Sequence, residues 1–153
     1  MKEKMMREAI KESKKAFQKD EVPIGCVIVK DGKVIARAYN RKEEKKCAIA
    51  HAEILAIEKA SRKIGDWRLD GCEMYVTLEP CPMCAGAIAN ARIKKLFFGA
   101  YERKSGSAES RFPLLTESGL NWTVSFEGGI LEEECAAVLK KYFKIKREET
   151  KKD

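Results

Sequence analysis

Thirty residues separate the chain's only histidine, in His51-Ala52-Glu53, from the segment Pro80-Cys81-Pro82-Met83-Cys84. An imidazole and two thiolates are three good ligands for a divalent zinc ion, so a fold that uses them together must bring both segments to one point. Three protein ligands leave the fourth tetrahedral position to water, whereas a structural site closes it with protein. Glu53 is not needed to hold the metal, and a carboxylate beside a metal-bound water is what moves its protons onward. The pattern reads first as a catalytic zinc centre, with His51, Cys81 and Cys84 as ligands of one ion per subunit and Glu53 as the proton carrier.

Both segments fall at expected helix starts, where unpaired amide groups and the helix dipole favour thiolates. His51 and Glu53 are two residues apart and would point to nearly opposite faces of a regular helix. They converge only if the metal lies at the helix end.

The rest of the chain supplies the frame. Met5, Met6, Ala9, Ile10, Ala16 and Phe17 have amphipathic helical spacing and end before Pro23. Val22 to Lys30 and Lys33 to Tyr39 are β-branched runs joined by the hairpin turn Asp31-Gly32. A helix is expected from Ala50 to about Ile64, stopped by Gly65, and Met74 to Leu78 forms a short strand. Pro82 fits a first helical turn, carrying a helix to Ala91, and Leu96 to Ala100 is strand again. Tyr101 to Gly119 reads as loop with at most a turn of helix, and Val124 to Phe126 as a last strand. Leu131, Cys135, Val138, Leu139, Tyr142 and Phe143 mark a C-terminal helix from about 131 to 147. Strands alternating with helices predict a three-layer α/β/α sandwich in one domain, residues 1–153.

Thirty-one Lys and Arg against 24 Asp and Glu give a net charge of +7, which favours polyanionic partners and equally fits a solvated surface. The basic stripe Lys140, Lys144, Arg147 and Lys151 runs at helical spacing beside Tyr142 and Phe143, an arrangement suited to RNA. Six cysteines behind a Lys-rich start without a long apolar stretch suggest a reducing, cytoplasmic setting. No stretch has the length and apolarity of a membrane span. Cys26, Cys72 and Cys135 read as small buried hydrophobes. Cys47 is different, because Cys47-x-x-x-His51 with Cys81-x-x-Cys84 has the spacing of a closed four-ligand site. A structural zinc module therefore stands as an alternative, though it leaves Glu53 without a purpose.

His-x-Glu with Pro-Cys-x-x-Cys is the signature of the zinc nucleobase deaminases, and the chain resembles that superfamily. Glu21-Val22-Pro23-Ile24-Gly25, Asn40, His51-Ala52-Glu53, Tyr75-Val76-Thr77-Leu78-Glu79-Pro80-Cys81 and Cys84-Ala85-Gly86 look like the bacterial tRNA-specific adenosine deaminases, over nearly the whole chain. Two segments depart from that pattern. Cys47-Ala48-Ile49-Ala50 stands for Asp-Pro-Thr-Ala, and Glu102-Arg103-Lys104-Ser105-Gly106-Ser107-Ala108-Glu109-Ser110 for Asp-x-Lys-x-Gly-Ala-x-Gly-Ser. Tyr142-Phe143-Lys144-Ile145-Lys146-Arg147 takes the place of Phe-Phe-Arg-x-x-Arg.

The resemblance implies a cytidine-deaminase-like fold with a central mixed sheet, a homodimer and a tRNA substrate whose wobble adenosine becomes inosine. It implies that Asn40 and the backbone of Ala52 hold the base, with Glu102 and Lys104 at the substrate and Phe143, Lys144 and Arg147 on the RNA. The nearest enzyme alternative is a deaminase of a free base or nucleoside of the guanine or cytosine type.

Overall fold

The structure is a computed structural model and describes residues 1–116 and 122–151. Its chain order is α1 (Lys2–Gln18), β1 (Gly25–Lys30), β2 (Lys33–Tyr39), α2 (Lys42–Lys45), α3 (Ala52–Ile64), β3 (Cys72–Leu78), α4 (Pro82–Asn90), β4 (Lys95–Ala100), β5 (Ser125–Glu127) and α5 (Glu132–Lys151). The five strands form one sheet in the order β2-β1-β3-β4-β5. β1 pairs antiparallel with β2 and β3, whereas β3, β4 and β5 run parallel, so the sheet is mixed as expected.

Alternation along the central strands decides the layers, because successive side chains leave a strand on opposite faces. Cys26, Ile28, Met74, Val76, Leu96 and Phe98 meet Ala52, Ala56 and Ala60 of α3 and Ala85, Ile88 and Ala89 of α4. Val27, Val29, Tyr75 and Phe97 meet Met5, Met6, Ala9 and Ile10 of α1 and Cys135 of α5. With both faces covered, the central strands read as continuous apolar runs.

Two glycines set how closely the helices seat. A Cβ on Gly25 would lie 2.0 Å from the Ala9 carbonyl oxygen, and one on Gly99 would lie 2.3 Å from Cys135 Sγ. α1 therefore rests on the bare backbone of β1, and α5 on that of β4. The hairpin turns as expected at Asp31 and Gly32, both with positive φ, the backbone that a tight two-residue turn demands.

Several boundaries differ from the sequence expectation. Val22 to Ile24 is not strand: Pro23 lacks an amide proton, and the Ile24 N–H closes a tight turn onto the Val22 carbonyl. α3 begins at Ala52 rather than Ala50, because Ala50 bonds back to Cys47 in a turn and His51 is the extended N-cap. The short helix α2 went unforeseen because nothing apolar marks it, all four of its residues being charged. α5 runs on to Lys151, beyond 147, along an exposed and charged last turn. No helix was found in the described part of the 101–119 loop, and residues 117–119 of that expected loop lie outside the described residues.

Candidate active site

The C-terminal edge of the parallel strands carries the site, the usual place for ligands in open α/β sheets. β3 ends at Leu78, and three residues later Cys81 caps α4, with Pro82 opening the helix where no amide donor is needed. His51 caps α3 at φ −75°, ψ 153°. The two helix starts face each other, which resolves the His51–Glu53 geometry: the point of convergence lies at the helix end.

His51 Nδ1 lies 3.8 Å from Cys81 Sγ and 3.6 Å from Cys84 Sγ. All three donor atoms fall within 4.8 Å of one another. A tetrahedral zinc with bonds of about 2.0 Å to nitrogen and about 2.3 Å to sulfur sets its ligands at roughly these separations, so the donor set fits zinc. Among the described residues this is the one group of its kind, and Cys47 is not in it. Cys47 sits half-buried in the turn after α2, where its amide donates to the Lys42 carbonyl. The fourth-ligand alternative is not supported.

The three donor side chains shift one another's proton affinity. Hydrogen bonding from the Cys84 thiol, opposed by burial and helped by His51 and the Cys84 amide, pushes the Cys81 thiol down to about 4. Cys84 moves the other way, raised by its bond to Cys81 and by burial. The bond to Cys81 raises the pKa of His51 against the effect of burial.

Glu53 is 4 % exposed, in the first turn of α3. Burial pushes its carboxyl up to about 7, with its own backbone amide pulling down, Cys81 pushing up and His51 pulling down. A carboxyl poised near neutrality can both give and take a proton, as general acid–base work requires.

His51, Glu53 and Cys81 line a cavity of about 380 Å³ whose walls include Ile24, Leu78, Glu102, and Lys140 and Phe143 of α5. Asn40, Ala52 and Lys104 neighbour its lining without being part of it. Asn40 is buried, but its Nδ2 donates to the Val22 carbonyl and its Oδ1 accepts from the Lys42 amide, which braces the rim. Ala52 is fully buried on the sheet. Lys104 is exposed and meets the cavity only through Glu102, whose Oε1 accepts the Lys104 amide. Lys140, Lys144, Arg147 and Lys151 are all exposed along α5. Its two aromatics divide: Tyr142 packs edge-on against Phe17 and donates its hydroxyl to the Asp20 carbonyl, whereas Phe143 is 43 % exposed.

Two buried carboxylates, Glu21 and Glu79, lie within the motif segments but have no role assigned by the sequence. Glu21 accepts the amides of Glu43 (3.0 Å) and Glu44 (2.7 Å) and so fixes the start of α2. Glu79 gathers amides from the 102–110 loop. Burial acts to raise its pKa, and the Ser110 hydroxyl with the amides of Glu109, Ser110 and Glu102 outweigh it, leaving it below the usual carboxylate range.

The profile of the MafB19-like deaminase family matches residues 1–147. The tRNA-specific adenosine deaminase of Bacillus subtilis is 49 % identical over 146 residues, covering 95 % of this chain and 91 % of that protein. The chain belongs to the tRNA-specific adenosine deaminase family. Among solved structures, one from work on A-to-I editing by tRNA deaminases at the wobble position aligns with TM-score 0.86. It is 43 % identical, over 89 % of this chain and 99 % of that one. A guanine deaminase from Nitrosomonas europaea shares the fold at TM-score 0.76 and 25 % identity, over 92 % of this chain and 83 % of its own. Members of the tRNA-specific adenosine deaminase family and purine-base deaminases thus share this framework.

Proposed function

We propose that this chain hydrolyses adenosine to inosine in tRNA, at the anticodon wobble position, in the cytoplasm and as a homodimer. The observation that carries the reading is a buried Glu53 beside three zinc-type donors, in a cavity also walled by Lys140 and Phe143 of α5. A free base needs no basic helix at its mouth, whereas a nucleotide in an RNA loop brings phosphates and neighbouring bases to it.

His51, Cys81 and Cys84 would hold one zinc ion per subunit. That ion, when bound, supplies a water made acidic enough to act as nucleophile near neutral pH. Glu53, buried beside the three donors, would take a proton from the attacking water and deliver it to N1 of adenine, then move the remaining proton of the new C6 hydroxyl to the amino group, which leaves as ammonia. The family resemblance assigns the base to Asn40, bonded to the lining residue Val22, and to the backbone of Ala52, between the lining residues His51 and Glu53, and the ribose side to Glu102 and Lys104. Phe143, Lys144 and Arg147 meet the flanking RNA. The reacting base has to leave its stack to enter, and a loop nucleotide does so at low cost.

Incubating zinc-loaded protein with unmodified tRNA, and separately with adenosine, guanine and cytosine, tests the reading by nucleoside analysis. Inosine in the tRNA is the expected product. Product from a free base alone, with the tRNA unchanged, would make this a free-base deaminase.

A further inference from the structure

We propose that Glu79 is a positioning residue for substrate recognition, whose buried carboxylate holds the 102–110 loop so that Glu102 stands at the cavity wall. The inference rests on the reading of that cavity as a nucleoside site.

Glu79 is 2 % exposed and sits between β3 and the ligand Cys81. Oε1 accepts the Glu102 amide at 3.1 Å. Oε2 accepts the amides of Ala108 (3.2 Å), Glu109 (2.9 Å) and Ser110 (2.9 Å), and the Ser110 hydroxyl bonds to Oε1. Among the described residues no lysine or arginine pairs with this carboxylate, so one loop's backbone supplies nearly all of its compensation. Such a charge cannot be buried without its donors, and the loop cannot leave without exposing it. Closure leaves no room at position 106, where a Cβ would lie 2.3 Å from the Glu102 carbonyl oxygen and 2.4 Å from Glu79 Oε1.

One further bond ties the same loop to the metal side, and another ties Glu79 to the end of β4. The Ser107 amide donates to the Pro80 carbonyl at 2.8 Å, and the Glu79 amide to the Ala100 carbonyl at 2.9 Å. At the loop's start, Glu102 Oε1 is occupied by the Lys104 amide at 3.0 Å. Its other oxygen makes no hydrogen bond among the described residues, which leaves an acceptor for a sugar hydroxyl. Glu79 thus fixes the backbone of Glu102, and the turn of Glu102 onto Lys104 fixes its carboxylate. A glutamine at 79 would turn an amide group, itself a donor, toward these donors.

A double-mutant cycle on the zinc-loaded protein, with tRNA as substrate, separates positioning from general support. Glu79→Gln and Glu102→Ala should each raise KM about tenfold, the scale of one lost bond to a charged group, with zinc content unchanged. Because both act through Glu102, the double variant should exceed the worse single by no more than about twofold. Amide exchange across 102–110 should speed up in Glu79→Gln while α3 and α4 stay protected. Should Glu79→Gln fail to fold, Ser110→Ala replaces it in the cycle, with a smaller KM change and the same lack of additivity. Multiplying effects of about a hundredfold in the double variant, or loop exchange no faster than in the parent, would overturn the proposal. Exchange is read on the protein without RNA, so it judges the hold of Glu79 separately. A parent protein inactive on tRNA would overturn the substrate reading instead.

Discussion

Burial sets the proton affinity of Glu53. A glutamate in water is ionised at neutral pH, and burial at the mouth of α3 is what brings this one to about 7. Glu53→Gln keeps the shape and removes the proton carrier, so it should retain zinc and lower kcat by about 10²- to 10⁴-fold. Metal content with single-turnover rates checks this, and unchanged turnover would remove Glu53 from the mechanism. The same shift makes stability pH-dependent in the zinc-stripped protein. The folded pKa lies above the unfolded 4.5, so the native state holds the extra proton between these values. Its contribution is full below pH 4.5 and is lost as pH rises through 7. Glu53→Gln should therefore stabilise the zinc-stripped protein at pH 8 relative to pH 5, on the order of 3 kcal/mol, in urea titrations. Cys81, held down to about 4, should be the first thiol alkylated at pH 6 once zinc is removed, with Cys26, Cys72 and Cys135 protected by burial. Peptide mapping that finds Cys81 no more reactive than these would contradict the thiolate assignment. That His51, Glu53, Cys81 and Cys84 would come together was legible in sequence, because metal chemistry restricts residue type and spacing. Glu21 and Glu79 were not, because what defines them is the set of amides folded around them, and no local spacing records that.

At the scale of elements, what the sequence could announce depended on periodicity. α1, α3 and the β1–β2 hairpin carry apolar repeats and turn residues, and they stand where those signals put them. α2 carries none: it is held from outside by Glu21 and by Asn40 receiving the Lys42 amide. Gly25 gave no sign that it seats α1. Gly25→Ala would drive a methyl into the Ala9 carbonyl, and should cost about 3 kcal/mol in denaturant unfolding. A loss near zero would mean that α1 lifts away freely. α5 is anchored on one side by Cys135 and Leu139, and by Lys146 to Asp20 at 2.5 Å, which leaves Lys144 and Arg147 to solvent. Replacing both with alanine should weaken tRNA binding and flatten the slope of log K against log salt by about 1.4, at roughly 0.7 per phosphate contact. An unaltered slope would return this face to ordinary solvation.

In the whole molecule, the mixed sheet brings two helix starts, the ends of β3 and β4, and α5 around a single cavity. The sequence reading reached the three-layer plan because alternating strands and helices admit few others. It could not show how the cavity wall divides its labour, since Leu78, Glu102, Lys140 and Phe143 come from distant stretches of chain. Two buried faces sharing one sheet should unfold together, so a single cooperative transition is expected for residues 1–153. The central claim is that this cavity converts an adenosine within RNA. Its most direct measurement is digestion and mass analysis of the anticodon-loop fragment from tRNA treated with zinc-loaded protein, beside tRNA treated with the Glu53→Gln variant. The account predicts inosine at the wobble position only with the parent protein. An unmodified adenosine there, with the zinc site filled and the protein folded, would contradict it.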